Sequence, residues 1–282
     1  MAEGYLRVAR GGAWWRLLCE LLLAPVWWFV GAAVTAAAVL GIAGAKKLSE
    51  LDMVSRLVLT HLTIAMMIPA ALLAAFVIGR RPGFVLSLAG RIRWPWLVRC
   101  AGIALAIQIG FVAVGFILEL VGTGEVTGTH SGGSGLWQVL VVTVFLVPFQ
   151  ASGEEVFTRG TMQQVIGGWG APAWVAMIVS TGAFVAMHGT PNVGTIAIAA
   201  MGLSFAWLTL ETGGLEAAIA GHTINNIVAF VLAALAHGPD AMDPQEINKR
   251  VGLASVLIQL VMIALYTALV IRSWRRATKS AA

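Results

Sequence analysis

Charge is what this 282-residue chain has least of: 11% of its residues are Asp, Glu, Lys or Arg, and 59% are hydrophobic. A soluble domain carries about 25% charged residues. No long polar block occurs anywhere, which excludes a soluble domain on a single anchor and leaves an integral membrane protein with several spans. Cysteine is nearly absent. Cys19 and Cys100 form neither a CxxC motif nor a paired framework, so no disulfide scaffold is expected. Period-two alternation in ten-residue units is missing, which argues against a membrane barrel. The first apolar run, starting near Leu21, lacks a small-x-small cleavage site followed by a polar chain, so no cleavable signal is expected. Internal repeats and low-complexity tracts are also missing.

The net charge of +5 does not imply nucleic-acid binding. The basic residues sit in short loops and tails, where they set topology and meet anionic lipid headgroups. Eight windows are long and apolar enough for a bilayer-crossing helix: 21–45, 57–79, 98–121, 136–153 continuing to about 166, 172–188, 195–210, 215–236 and 251–271. Backbone groups in lipid must pair within their own segment, so the expected fold is an all-α polytopic membrane protein of about eight transmembrane helices. The chain divides into an N-terminal cytoplasmic or interfacial segment (1–20), three spans (21–135), a four-helix core (136–236), and a last span with a basic tail (237–282).

Loop charges set an expected orientation. Arg7, Arg10 and Arg16, then Arg80, Arg81, Arg91, Arg93 and Arg99, then Arg272, Arg275, Arg276 and Lys279 all fall on one side of an eight-span chain. The opposite side holds "GTGEVTGTHSGGSG", the acidic "HGPDAMDPQEINKR", and the exceptions Lys46, Lys47 and Arg56. The positive-inside rule then puts both termini in the cytoplasm, most naturally at the cell membrane. With Trp14 and Trp15, the first ~20 residues read equally as an interfacial segment or an ordered tail with aromatic belt residues.

What is present stands out against this background. Ionisable groups inside a membrane are costly unless paired, and mark functional sites by default. "FQASGEEVFTRG" places Glu154, Glu155 and Arg159 at the end of an apolar run. His188 closes "STGAFVAMHGTPN", and "AGHTINNIVAF" carries His222, Asn225 and Asn226. Helical residues four apart share a face, which pairs Glu155 with Arg159, Phe184 with His188, and His222 with Asn226. Glu154 is rotated about 100° from Glu155 and points elsewhere. Glu154 and His188 are equidistant from a turn at 171, so an antiparallel hairpin brings both to one depth. A carboxylate facing an imidazole is a water-activating pair. Adjacent carboxylates repel and Arg159 favours the charged form of its partner, so Glu155 is expected as the structural anion and Glu154 as the proton acceptor.

Taken singly, each block has a plainer reading: a structural ion pair, a core histidine, or hydrogen-bonding glue between helices. His61, His130 and His237 read as packing or loop residues. Gln108, Gln150, Gln163, Gln164, Glu211 and Glu216 read as helix-packing or helix-end groups. Gln150 and Thr158 lie four residues either side of Glu154 and could support it. A transporter would need matching discontinuous halves, and no second half is seen.

Together, in order, the blocks EExxxR, FxxxH and HxxxN over residues 136–236 resemble those of the type II CAAX prenyl endopeptidases and their bacterial relatives, the CPBP intramembrane proteases. The resemblance implies an intramembrane endopeptidase with a polar catalytic cavity among spans four, five and seven. Its implied substrate is a peptide or membrane-anchored protein, prenylated in the CAAX case. By the same resemblance, Glu154 is the catalytic base, His188 helps polarise the water, His222 and Asn226 stabilise the oxyanion, and Glu155 with Arg159 holds the first glutamate. Glu154, His188 and His222 could instead form a three-ligand zinc site. HExxH is absent and Asn226 suits an oxyanion donor better than a zinc ligand, so the metal-free reading is favoured and zinc stays open. A non-proteolytic scaffold or maturation factor that keeps the pocket is the alternative. His188 lies near one end of its helix and His222 near the opposite end of its own, which requires helices four and five to project on one side or the orientation to invert.

Overall fold

The computed structural model describes residues 2–9, 13–123, 135–189, 191–238 and 252–279. His130, the "HGPDAMDPQEINKR" stretch and the His237 side chain lie outside the described residues. The helices are α1 (Ala2–Arg7), α2 (Trp14–Ala43), α3 (Met53–Ala65), α4 (Met67–Val77), α5 (Gly83–Leu86), α6 (Trp94–Thr123), α7 (Leu136–Glu155), α8 (Gln163–Gly168), α9 (Ala173–Ala186), α10 (Thr195–Thr212), α11 (Glu216–His237) and α12 (Leu253–Lys279). A π-helical segment, Val156–Met162, joins α7 to α8. Among the described residues there is no strand, and the protein is an all-α, multi-pass integral membrane protein.

Each of the eight apolar windows is helical, but seven stretches are long enough to cross a membrane: α2, Met53–Val77, Trp94–Val121, Leu136–Gly168, α10, Glu216–Ala236 and α12. The eighth, α9, has 14 residues, or about 21 Å against a ~30 Å hydrocarbon core. Pro172 starts it, and the chain leaves the helix at Gly189, whose φ is +89°. Window hydropathy does not register that exit. Large apolar side chains on α2 and α6, such as Phe29, Val34, Phe116 and Ile117, are exposed, as a lipid-facing surface demands. Helix α7 packs between α3 and α11, and α11 also meets α6 and α10.

Glycine allows α7 to sit this close. A Cβ on Gly153 would fall 2.7 Å from the Ile64 carbonyl oxygen, and one on Gly160 would fall 2.8 Å from Val85 Cγ1. The α10–α11 turn, with Gly213 at φ +68°, is clamped by the segment after α5: Leu88 N donates to Gly213 O at 2.9 Å, and Leu215 N donates to Leu86 O at 2.9 Å. Leu215 therefore lies level with Gly160. From Gly160 the α7–α8 helix runs on to Gly168, about 12 Å further. The α8–α9 hairpin thus projects past the α10–α11 turn, which reconciles the placements of His188 and His222.

The N-terminal segment packs against this projection. Tyr5 and Leu6 are buried, where the sequence suggested a surface-lying segment or a tail. The reason is a groove made by small residues: a Cβ on Gly167 would meet Leu6 Cβ at 2.7 Å, and one on Gly168 would meet Leu17 Cδ1 at 2.8 Å. The Tyr5 hydroxyl donates to Val85 O at 2.8 Å, and burial holds this phenol far above its usual pKa. Glu20, which composition gave no reason to single out, is buried there and takes Arg80 Nη1 at 2.7 and 2.5 Å. Arg80 also reaches Gln164, whose amide donates to Phe84 O at 2.9 Å. Arg93 grips Glu216 at the start of α11 through Nε (2.9 Å) and Nη2 (2.6 Å).

Candidate active site

The two glutamates occupy the last turn of α7, immediately before the π-helical segment. π-Helical turns are rare and recur at functional sites. Thr158, inside this one, donates from its hydroxyl to the Glu154 carbonyl at 2.5 Å. Glu155 and Arg159 are fully buried and paired, Arg159 Nη1 to Glu155 Oε1, at 3.0 Å. That is the pairing the four-residue spacing predicts. Arg159 is further held by Thr158 Oγ1 (2.9 Å), by Gly202 O (3.1 Å) and by the Phe184 ring face, 4.2 Å from its guanidinium carbon. A Cβ on Gly202 would fall 3.1 Å from Arg159 Nη2, so glycine opens that carbonyl to the cation.

His222, on the second turn of α11, is brought against both carboxylates. Its Nδ1 lies 2.8 Å from Glu155 Oε1, the oxygen that also takes Arg159. Its Nε2 lies 3.4 Å from Glu154 Oε2. Glu155 and Arg159 thus support His222, where the sequence assigned them to Glu154. The support of Glu154 comes from Gln150, whose Nε2 donates to Glu154 Oε1 at 2.7 Å. Sequence spacing had put Gln150 and Thr158 beside Glu154, and both touch it. Asn226, one turn beyond His222, donates to Gln150 Oε1 at 3.4 Å.

His188 stands apart from this group. It is half-buried, just past the end of α9; its Nδ1 is 2.7 Å from Phe184 O and its ring 4.5 Å from the Phe184 ring. Phe184 also meets the His222 ring edge-on at 5.6 Å, and so stands between the two histidines. Among the described residues His188 makes no hydrogen bond or ion pair with Glu154. Other candidates fall elsewhere. His61 is buried edge-on to Phe230 (5.5 Å), Gln163 donates to Ala206 O (3.2 Å), and Glu211 faces Arg275 (3.7 Å) on an exposed surface.

The atoms left over define the chemistry. Glu154 Oε2 and His222 Nε2 are both buried and, among the described residues, have no hydrogen-bond partner. They face each other across 3.4 Å. A water lodged between them would have a partner in each. Two donors aimed at one place also raise the question of zinc, which takes three protein donors and an open position. Among the described residues no third His, Cys, Asp or Glu completes such a set. As these side chains stand, the Glu154, His188 and His222 set is one donor short of a zinc site.

Residues 134–228 match the family model described as type II CAAX prenyl endopeptidase Rce1-like. The matched segment holds all three sequence blocks, and the resemblance they carry is borne out. No curated protein and no solved structure matches the chain.

Proposed function

We propose that this protein is an intramembrane endopeptidase, in which Glu154 activates a water that hydrolyses a peptide bond of a membrane-anchored, prenylated substrate. The observation that carries this reading is the buried, unpartnered pair Glu154 Oε2 and His222 Nε2, 3.4 Å apart within the family-matched segment. The match to a protease family supports a hydrolase.

Gln150 occupies Oε1 of Glu154 and leaves Oε2 for the water. Glu154 takes one water proton as the hydroxide oxygen adds to the scissile carbonyl carbon. The Asn226 amide donates to the resulting oxyanion, and so does His222 Nε2 when both ring nitrogens carry protons, the one on Nδ1 being held by Glu155. Collapse breaks the C–N bond, and Glu154 returns its proton to the leaving amine. Glu155, bonded to Nδ1, fixes which way the His222 ring presents Nε2. The resemblance makes His188 the second water-polarising group; it lies on the far side of the Phe184 ring from His222. No step in this scheme passes through a metal. Both termini and the arginine-rich 80–99 loop face the cytoplasm, at the end where α1, α5 and the α8–α9 and α10–α11 turns gather.

The test is cleavage of a quenched-fluorescent, farnesylated peptide by purified protein. Glu154→Gln lowers kcat by about 10²–10⁴-fold, the usual worth of a general base. Full cleavage by Glu154→Gln with none by Glu155→Gln would reverse the two roles. Stoichiometric zinc in the active protein, lost together with activity, would overturn the metal-free scheme. Cysteine labelling of both termini from the cytoplasmic side checks the orientation.

A further inference from the structure

Four side-chain amides lead from helix α6 to Glu154. Gln108 Nε2 donates to Asn225 Oδ1 at 3.4 Å. Asn225 Nδ2 donates to Asn226 Oδ1 at 3.2 Å. Asn226 Nδ2 donates to Gln150 Oε1 at 3.4 Å, and Gln150 Nε2 donates to Glu154 Oε1 at 2.7 Å. Every link runs the same way, amine to oxygen, and the last acceptor is the carboxylate.

That common direction has a physical cause. An ionised carboxylate only accepts, so Gln150 must turn its NH₂ toward Glu154. Its oxygen then faces Asn226, which must donate in turn, and the constraint passes outward to Gln108. Amides chained in this way polarise one another, so the innermost bond to Glu154 is strengthened by those behind it. Gln108 and Asn225 line a cavity between α6, α10, α11 and α12, together with Gln259, Phe205 and Tyr266. Four amides in a membrane interior are costly as mere filling. As interhelical glue they would have no need to point one way or to end on a single oxygen of Glu154 whose other oxygen is free.

We infer that Gln108, on a helix outside the family-matched segment, is a positioning residue for Glu154, acting through Asn225, Asn226 and Gln150 to hold Oε1 and so aim Oε2 at the water. This rests on the proposed reading of Glu154 as the base.

Two measurements on the full-length protein in detergent separate the two ideas. In cleavage of the farnesylated peptide, Gln108→Met, which keeps the volume and removes the donor, lowers kcat about three- to tenfold with KM within about twofold. Gln150→Met lowers kcat about tenfold to a hundredfold, since it removes a hydrogen bond to a charged group. Adding Gln108→Met to Gln150→Met changes nothing further, because the chain is already cut. Independent, multiplying losses in the double variant would overturn the relay.

The second measurement needs no turnover. The infrared carboxyl band that disappears in Glu154→Gln is expected to shift in Gln108→Met and in Gln150→Met, and to shift no further in the double variant. Ser204→Ala, which removes only the 2.6 Å bond to Thr267 between α10 and α12, leaves the band in place. An unmoved Glu154 band in Gln108→Met overturns the relay whatever the activity. Failure of the wild-type protein to cleave the peptide, with the band shifts intact, overturns the peptidase reading and leaves the relay standing.

Discussion

At the scale of single residues, the decisive group is Glu155. It is fully buried and holds Arg159 and His222 on the same oxygen. Arg159→Met leaves that carboxylate without its cation, and breaking a buried pair from one side costs about 3–5 kcal/mol. The expected outcome is a large fall in the unfolding midpoint of the detergent-solubilised protein. Glu155→Gln strands the buried Arg159 cation in the same way and is expected to lower the midpoint comparably, while also losing kcat because His222 Nδ1 loses the charged acceptor that orients it. Much of this cluster is legible in the sequence, since ionisable residues in an apolar run announce themselves and four-residue spacing finds Arg159, Gln150 and Thr158. The Glu155–His222 contact is not legible. It joins residues 67 positions apart, and depends on how α7 and α11 are rotated about their axes.

At the scale of elements, α7 is positioned by what it lacks. Gly153 lets the α3 backbone approach to a distance that any Cβ would violate, and the clashing atom is a carbonyl oxygen that cannot rotate aside. Gly153→Ala is expected to destabilise the protein by about 1–3 kcal/mol, as overpacking does. Gly102→Ala, where a Cβ meets nothing within 4 Å, is the matched control and is expected to be neutral or slightly stabilising. Thermal unfolding of the two variants side by side checks this. The eight helices follow from hydropathy, but the shortness of α9 does not. Its length is set by Pro172 and the chain's departure at Gly189, two local events inside a window that averages as apolar.

At the scale of the whole molecule, the N-terminal segment and the projecting α8–α9 hairpin form one packed unit, closed by the Glu20–Arg80 pair. Arg80→Ala strands a buried carboxylate and is expected to cost about 3–5 kcal/mol. The double variant Glu20→Ala/Arg80→Ala is expected to recover part of that loss, read from unfolding midpoints around the four-protein cycle. This packing escapes sequence reasoning because it needs the groove at Gly167 and Gly168, which exists only once α8 is folded. The step between the two turns also makes the surroundings of the site unequal. His222 lies six residues beyond Glu216, about 9 Å below the α10–α11 turn, whereas Glu154 lies about 21 Å below the end of α8. An extended strand advances about 3.3 Å per residue. A polypeptide coming over the α10–α11 edge therefore spends about three residues in reaching the carboxylates, and one coming over the hairpin spends about six. On the proposed peptidase reading, the low edge is where a cleavage point only a few residues from a chain end comes within range.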